Sequence, residues 1–349
     1  MKSLSLFIAV VSFGTIASAQ TAETETVRVV LFGSVVATGV YVAHDLGYFT
    51  DEGLDVSIEH TPSSKYLVTE LVKGTYQIAQ ASIDNFFAYQ GGQGAAPLDR
   101  EPDLRVFMGG ATLDLNVVTR PEINSYEDLR GRSIGVDAAT TGWAFVMRHM
   151  LERGGGLEAG DYELVEVGNT RKLSEALVAG RTHASILFGS FFDEALAAGM
   201  KRLEGSFERI GPYQGSSFAV SDAWARAHPE TVTGFARAYI RAMDVVFDLD
   251  RREDVIDILT SHVSIARAIA ATNLSELTTS TVGFSRDGAL SMEGVETVLS
   301  LRNDYGTPPH DFTDLDGFVD LSYYEQALQT PAKPKIAVFS DPQSHHSKR

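Results

Sequence analysis

The chain has 349 residues, of which 44% are hydrophobic, and this length predicts two domains of ordinary size. It contains no cysteine, which excludes thiol catalysis, disulfide bonds and a lipid anchor on an N-terminal cysteine. Acidic residues number 46 against 29 basic ones, for a net charge of −17, and there is no cluster of Lys and Arg to neutralise phosphates, so nucleic acid is excluded as a partner.

The first residues have the pattern of a secretory signal. Lys2 precedes an apolar run that ends at Ile16, and the small residues at 17–19 form an Ala-Ser-Ala step of the kind that signal peptidases cut. Residues 1–19 are therefore predicted to be a signal peptide, whose removal changes the net charge to −18 (28 minus 46). No later segment approaches the ~20 apolar residues of a membrane helix. We expect a soluble protein exported to the periplasm.

From residue 27 the pattern alternates between strands and helices. Strands are predicted at 27–32, 54–59, 76–81 and 104–108, and helices at 36–46, 63–73 and 83–90, with a glycine-rich loop at 91–102. Strands separated by single helices need crossover connections, which predict a mostly parallel sheet with helices on both faces.

The same order of elements returns 106 residues later. LVKG at 71–74 matches LVAG at 177–180, and the offset aligns five consecutive elements. Strands are predicted at 132–136, 162–167 and 184–188, and helices at 141–151 and 171–179. Internal repetition of this kind predicts two similar α/β lobes.

Beyond Ser221 the pattern becomes helical, with helices predicted at 222–247, 254–259, 264–272 and 292–302. Linkers near Leu113 and Tyr213 indicate that the chain crosses twice between the lobes. The first lobe is predicted to comprise 27–112 and 213–330, with the C-terminal helices packed on it, and the second lobe 115–211. Residues 331–349 mix Pro, Lys, Ser and His without periodicity and are predicted to be a disordered tail.

Four loops that join strands to helices are candidates for a ligand site, because helix N-termini at the carboxyl ends of strands favour anions and polar acceptors. Ser and Thr are also common helix caps, so ordinary capping is an alternative explanation for the hydroxyl residues at these positions. The candidates in these loops are Gly33, Ser34, Ser82, Asp84, Thr140, Thr141, Gly142, Gly189 and Ser190.

Further candidates carry charge or aromatic rings. Trp143, Phe188 and Tyr213 could enclose a flat organic ligand, although each is more often a core residue. Arg171 lies at a helix start and suits a carboxylate or a sulfonate, unless it is simply a solvated surface charge. Asp84, Asp114 and Asp137 favour a ligand with N–H donors or positive charge, unless Asp84 caps its helix. Thr112 adjoins the same linker as Asp114. The charge of the ligand stays open.

Free energies predict a conformational change on binding. Micromolar affinity needs about 8 kcal/mol, whereas an exposed helix terminus supplies only ~0.3–1 kcal/mol of charge stabilisation. Closure of the lobes would expel water and bury apolar walls, which strengthens each polar contact. Binding is therefore expected to involve hinge closure.

Several stretches resemble a known family. YVAHDLGYFTDEGLDV, DLRGRSIGVDAATTGWAF, AGRTHASILFGSFFDEALAAG and WARAHPETVTGFARAYIRAMD together are similar to the nitrate, sulfonate and taurine ABC-transporter binding proteins and the related NMT1/THI5-like group, over roughly residues 27–325. The resemblance implies a two-lobed periplasmic binding protein of type II. By loop position it places ligand contacts at Ser34, Ser82, Thr140, Thr141 and Ser190.

The resemblance further implies a function. A small organic solute (a sulfonate, a carboxylate or a nitrogen compound) would be captured between the lobes and delivered to an ABC-transporter permease with its ATPase. We expect a monomer without cofactor or metal. The alternatives are an exported α/β enzyme acting on a small heterocycle or ester, and a sensory ligand-binding protein. No nucleophile elbow, HExxH motif, phosphate-binding loop or pair of His ligands at helical spacing supports catalysis.

Overall fold

The structure, a computed structural model, describes residues 24–279 and 282–330, so the predicted signal peptide and C-terminal tail lie outside the described residues. Ten strands are formed in this part of the chain. They are β1 (Glu25–Leu31), β2 (Leu54–His60), β3 (Ile78–Ala81), β4 (Leu104–Leu113), β5 (Asn116–Thr119), β6 (Ser133–Val136), β7 (Glu163–Glu166), β8 (Ala184–Leu187), β9 (Lys201–Gly205) and β10 (Tyr213–Ser221).

Fourteen α-helices accompany the strands within the described residues. They are α1 (Thr38–Asp45), α2 (Tyr48–Asp51), α3 (Ser64–Lys73), α4 (Ile83–Gln90), α5 (Gly142–Gly155), α6 (Thr170–Val178), α7 (Ser190–Ala197), α8 (Phe207–Ile210), α9 (Asp222–Ala227), α10 (Pro229–Val246), α11 (Arg252–His262), α12 (Arg267–Thr279), α13 (Met292–Tyr305) and α14 (Ser322–Gln329). Short 3₁₀ turns cover Val35–Ala37, Glu127–Leu129 and Leu249–Arg251.

The strands form two five-stranded sheets with the same topology. The first has the order β2-β1-β3-β10-β4 and the second β7-β6-β8-β5-β9. In each sheet three strands pair in parallel, and one reversed strand, β10 or β5, pairs antiparallel with both of its neighbours. Four of the five strands thus share one direction. The prediction of two α/β lobes, each with a mostly parallel sheet, is confirmed.

The chain passes between the sheets twice, between β4 and β5 and between β9 and β10. These two passages fall near the predicted linkers, while the residue limits of the lobes stay a prediction. Aromatic contacts attach the C-terminal part to the first sheet. Phe218 of β10 packs against Phe235 and Tyr239 of α10, with ring centroids 5.7 and 4.8 Å apart.

Local sequence signals explain where several helices begin and end. The Ser63 hydroxyl accepts a hydrogen bond from the Tyr66 N–H at the start of α3, and Asn169 does the same for Lys172 at the start of α6. Gly74 follows α3 with a φ of 82°, a left-handed conformation that favours glycine, and so ends the helix.

Two predicted helices are divided in the structure. The helix expected at 36–46 begins with the 3₁₀ turn and continues as α1, and the helix expected at 222–247 breaks at His228 into α9 and α10. Pro229 occupies the first turn of α10, where its lack of an N–H costs nothing but prevents continuation from α9. The strands β5, β9 and β10 were not predicted from the sequence.

Among the described residues, no single helix has the length and apolar composition to cross a membrane. Only the sharply bent pair Leu249–His262 and Arg267–Thr279 satisfies those two criteria when taken together.

Candidate functional site

A cavity of about 600 Å³ is lined by residues of both lobes. Most of these residues lie just after strands or in the first turns of helices. Volumes of about 300–1,000 Å³ are typical of sites for small organic molecules. A four-atom inorganic anion would leave most of this space to water. The cavity is therefore large enough for a small organic solute.

Eleven of the fifteen predicted site residues line this cavity. The sequence could place them because each follows a strand of an α/β unit, and such strand ends meet at one edge of a sheet. They are Gly33, Ser34, Ser82, Asp84, Thr141, Gly142, Trp143, Arg171, Phe188, Gly189 and Ser190.

Two predicted residues near the first passage between the sheets do not line the cavity. Asp114 accepts a hydrogen bond from the Phe207 N–H (2.9 Å) and pairs with Arg202 (3.4 Å), so its carboxylate stabilises a turn of the second lobe. The Thr112 hydroxyl accepts the Gly283 N–H (3.3 Å). Both side chains have structural partners in place of a ligand.

Thr140 and Tyr213 do not line the cavity either. The Thr140 carbonyl accepts a hydrogen bond from Arg302 (2.9 Å). Tyr213 is fully buried, and its hydroxyl lies 3.4 Å from the Ser82 Oγ. Tyr213 therefore supports a lining residue, Ser82, whereas the partner of Thr140, Arg302, does not line the cavity itself.

The structure shows which of the loop hydroxyls cap helices. Ser34 precedes the first 3₁₀ turn and Ser82 precedes α4, yet neither side chain caps its helix. Thr141 does cap α5, by accepting the Ala144 N–H at 3.4 Å. The hydroxyls of Ser34 and Ser82 are therefore not committed to capping, whereas that of Thr141 is.

Asp84 is engaged in a buried network. Its Oδ1 lies 2.6 Å from Nε of Arg302, whose side chain is fully buried, and its Oδ2 accepts the Gly142 N–H at 2.6 Å. Arg302 donates further hydrogen bonds to Gln93 Oε1 (2.7 Å) and to the Thr140 carbonyl (2.9 Å). The carboxylate predicted to attract a cationic ligand is thus compensated by protein groups, and it joins the first lobe to the start of α5.

Gly142 is required by this close approach. A Cβ atom at this position would lie 2.2 Å from the Tyr213 hydroxyl and 2.3 Å from Asp84 Cγ. Any other residue would therefore separate α5 from α4 and break the hydrogen bond between Gly142 and Asp84.

Asp137 is a second acidic group of the cavity. Its Oδ1 accepts a hydrogen bond from the Thr141 hydroxyl (2.5 Å). Burial raises the pKa of Asp137 to about 6, although the hydrogen bond from Thr141 acts in the opposite direction. This carboxyl group changes its charge close to neutral pH.

Contacts cross directly from one lobe to the other beside the cavity. Lys65 pairs with Glu166 at 3.5 Å, and Asn169 Nδ2 donates a hydrogen bond to the Pro62 carbonyl (3.1 Å). Glu166 also accepts the Ala139 N–H (2.9 Å). The two lobes therefore touch across the cleft in this structure.

Arg171 is a cation of the cavity that takes part in none of these contacts. Its guanidinium lies 5.1 Å from the centroid of the Phe191 ring, a cation–π contact. Among the described residues, no carboxylate lies within ion-pair distance of Arg171. Arg171 is exposed and lines the cavity, so its guanidinium is accessible to solvent and to a ligand.

Sequence reasoning missed several lining residues, namely His60, Lys65, Gln80, Glu166, Asn169 and His262. His60 ends β2 and Lys65 lies in the first turn of α3, so the strand-end rule that found the other loops could have found these two. Burial and the neighbouring His262 lower the pKa of His60, so its ring is neutral at pH 7. No local sequence pattern identifies His262 as a cavity residue, because its position at the cavity depends on the packing of the C-terminal helices.

Two α/β lobes of the same topology thus enclose a cavity of about 600 Å³. The family model described as NMT1/THI5 like matches residues 34–249, and the chain belongs to this family. The predicted family is therefore confirmed. No curated protein matches the sequence.

Solved structures share the fold. The periplasmic nitrate-binding protein NrtA from Synechocystis PCC 6803 superposes with a TM-score of 0.73 at 11% identity, over 88% of this chain and 89% of that one. The alkanesulfonate-binding protein SsuA from Xanthomonas axonopodis pv. citri, bound to MOPS, gives 0.64 at 16% identity, over 81% and 93% of the two chains.

An enzyme has the same fold. A mutant of the desulfurization enzyme DszB, in complex with biphenyl-2-sulfinic acid, gives a TM-score of 0.61 at 15% identity, over 88% of this chain and 99% of that one. The fold therefore carries both binding proteins and a catalyst, and the residues of the cavity must decide between them.

Proposed function

We propose that this protein is the substrate-binding component of an ABC importer in the periplasm, and that it captures a small organic anion between its lobes. The observation that carries the proposal is the charge balance of the cavity, in which Arg171 is the cation without a carboxylate partner among the described residues. A permease and its ATPase would receive the solute, and we expect the protein to act as a monomer.

The charge balance favours an anion group by group. Asp84 is compensated by Arg302, and Glu166 by Lys65 and a backbone N–H. Because the pKa of Asp137 is raised to about 6, half of these carboxyl groups are protonated and uncharged near pH 6. A guanidinium binds a carboxylate or a sulfonate through two parallel hydrogen bonds, which is the strongest polar contact this set of residues can offer.

A buried acceptor indicates a second feature of the ligand. The Oε1 atom of Gln80 is buried and has no hydrogen-bond partner within the described residues, while its Nε2 donates to the Val36 carbonyl (3.1 Å) and to Ser216 Oγ (3.0 Å). An unpaired buried acceptor costs free energy. We therefore expect the solute to carry an amino, amide or hydroxyl donor in addition to its anionic group.

Trapping of the ligand is proposed to occur by closure of the lobes. The pairs Lys65–Glu166 and Asn169–Pro62 bridge the cleft, so they would form as the lobes meet. Closure removes water from the cavity and strengthens the contact to Arg171. Small-angle scattering should show a decrease in the radius of gyration on addition of ligand.

Binding without turnover is the expected behaviour. In the described part of the chain, no Ser or Thr that lines the cavity has a hydrogen bond to a histidine, as an activated nucleophile would. Because DszB shares the fold, catalysis is the alternative to test. The protein would be incubated with a compound that binds, and chromatography would monitor the mixture for product over several hours. Stoichiometric binding with no product supports the binding role, and turnover of the bound compound contradicts it.

A thermal-shift panel is the direct test of the proposed function. Sulfonates, carboxylates, nitrate, pyrimidines and amines would be added to the purified mature chain. A ligand at 100 times its Kd stabilises the native state by ~2.7 kcal/mol, which corresponds to roughly 5–10 °C in Tm. We expect such a shift from an organic carboxylate or sulfonate. A panel in which only amines raise the Tm contradicts the anion proposal.

The affinity for an anion should depend on pH through Asp137. Because its pKa is raised to about 6, the group is neutral at pH 5 and negative at pH 7. Affinity for an anion should therefore fall as the pH rises from 5 to 7, by up to about tenfold for one pK unit of coupling. Calorimetric titrations at several pH values measure this change, and Asp137→Asn should flatten the profile. An affinity that rises with pH indicates a cationic ligand.

A further inference from the structure

Two histidines and one aspartate meet beside the cavity. Nδ1 of His44 and Nε2 of His262 lie 2.8 and 2.9 Å from the same Oδ1 atom of Asp45. One ligand atom from each of the three residues lies within 4.8 Å of the other two. We propose that His44, Asp45 and His262 bind a divalent transition-metal ion, best represented by Zn²⁺, with water completing the coordination.

The donor set and its spacing suit this ion. Imidazole nitrogens and a carboxylate oxygen are common Zn²⁺ ligands, at distances of about 2.0–2.2 Å. In a tetrahedral site such ligand atoms are separated by about 3.3 Å. The observed separations of 2.8 and 2.9 Å need to widen by only about half an ångström. Small side-chain rotations would make room for the ion.

The backbone also favours a cation at this place. Asp45 is the last residue of α1 and His262 the last residue of α11, so the C-terminal ends of two helices converge on the site. Unpaired carbonyl groups at a helix C-terminus carry partial negative charge, which stabilises a nearby cation. Two such ends and one carboxylate give the site a negative potential.

One ligand is held in orientation before any ion binds. The ring of His262 stacks on the buried ring of Tyr41 with a centroid distance of 4.4 Å and an interplanar angle of 7°. The Tyr41 hydroxyl is itself hydrogen-bonded to Nε2 of His60 at 3.0 Å. A preoriented imidazole loses little side-chain entropy on coordination.

The site is accessible from solvent. The side chains of His44, Asp45 and His262 are 42, 30 and 22% exposed, so an ion can enter and can keep water ligands. His262 and the next two residues line the cavity, and α12 beyond them reaches the second lobe, where Asn273 donates a hydrogen bond to Asp193 (2.6 Å). A bound ion would fasten this segment to the end of α1.

Calorimetric titration of ZnCl₂ into the ligand-free protein tests the proposal. The sequence has adjacent histidines at 345 and 346, so the parent for all titrations carries His345→Ala and His346→Ala. We expect one ion per chain, and visible absorption of the Co²⁺ complex should show nitrogen and oxygen coordination. His262→Phe keeps an aromatic ring on Tyr41 but removes both nitrogens, and it should weaken Zn²⁺ binding by more than about 100-fold.

Further variants separate coordination from unfolding. Asp45→Asn preserves the shape of the third ligand and should also weaken binding, while unfolding curves without metal stay close to those of the parent. His228→Ala is the matched control, because His228 forms an exposed pair with Glu25 (2.6 Å) that includes only one histidine. Its affinity for Zn²⁺ should equal that of the parent. The absence of one-to-one binding in the parent, or equal affinity in His262→Phe, overturns the proposal.

Discussion

Replacing Arg302 with alanine is expected to lower the free energy of unfolding by about 3–5 kcal/mol. Arg302 is fully buried and forms a 2.6 Å ion pair with Asp84, which is also buried. Without the guanidinium, Asp84 would be left as an uncompensated charge in the interior, and Gln93 and Thr140 would lose their donor. Urea or guanidinium unfolding followed by circular dichroism measures the loss.

An exposed ion pair provides the control for this experiment. Arg226 pairs with Asp222 at 2.7 Å but is 72% exposed, so Arg226→Ala should cost less than about 1 kcal/mol. The double variant Asp84→Asn/Arg302→Met removes both charges and should recover a large part of the loss. A cost for Arg302→Ala no greater than that of Arg226→Ala would show that the buried pair does not stabilise the fold.

Replacing Arg171 with alanine should weaken binding of the anionic solute by about 10- to 150-fold, the equivalent of ~1.5–3 kcal/mol for a hydrogen bond to a charged group. The guanidinium lines the cavity and rests on the Phe191 ring, so it can meet a ligand without first leaving a carboxylate. Calorimetric titration with the compound that gives the largest thermal shift measures the change. Unfolding in the absence of ligand should be nearly unaffected.

Lys172→Ala is a matched control, because the two cations are adjacent and exposed and their removal changes the net charge equally. Lys172 does not line the cavity, so its loss should change the affinity by less than about threefold through long-range electrostatics. Equal losses in the two variants would attribute the effect to the overall field and contradict a direct contact with Arg171.

The sequence predicted those parts of the site that depend on local order. Ser34, Ser82, Thr141 and Gly189 each follow a strand of an α/β unit, and the position of such loops is fixed by the sheet. The offset of 106 residues even superposes β3 on β8. Periodicity and repetition therefore suffice for the parallel strands of the two sheets and for eleven of the residues that line the cavity.

The contacts that could not be predicted from the sequence depend on packing between residues that are far apart in the chain. Asp84 has the pattern of a ligand contact or a helix cap, but its partner Arg302 is 218 positions away in α13. His262 meets Asp45 across 217 positions for the same reason. The strand β10 was missed because its small and polar residues, in the sequence YQGSSFAVS, become buried only after it pairs with β3 and β4. Such residues have no apolar period of their own.

The order of strands has a consequence for biosynthesis. The strand β10 lies between β3 and β4, yet it is made after all five strands of the second sheet, which occupy residues 116–205 without interruption. Chains emerge from the ribosome with the N-terminal part first. The later-starting half of the molecule can therefore complete its hydrogen-bonded ladder first, while the earlier half waits with the edges of β3 and β4 unpaired. Those two edges are where a nascent chain would need protection from aggregation.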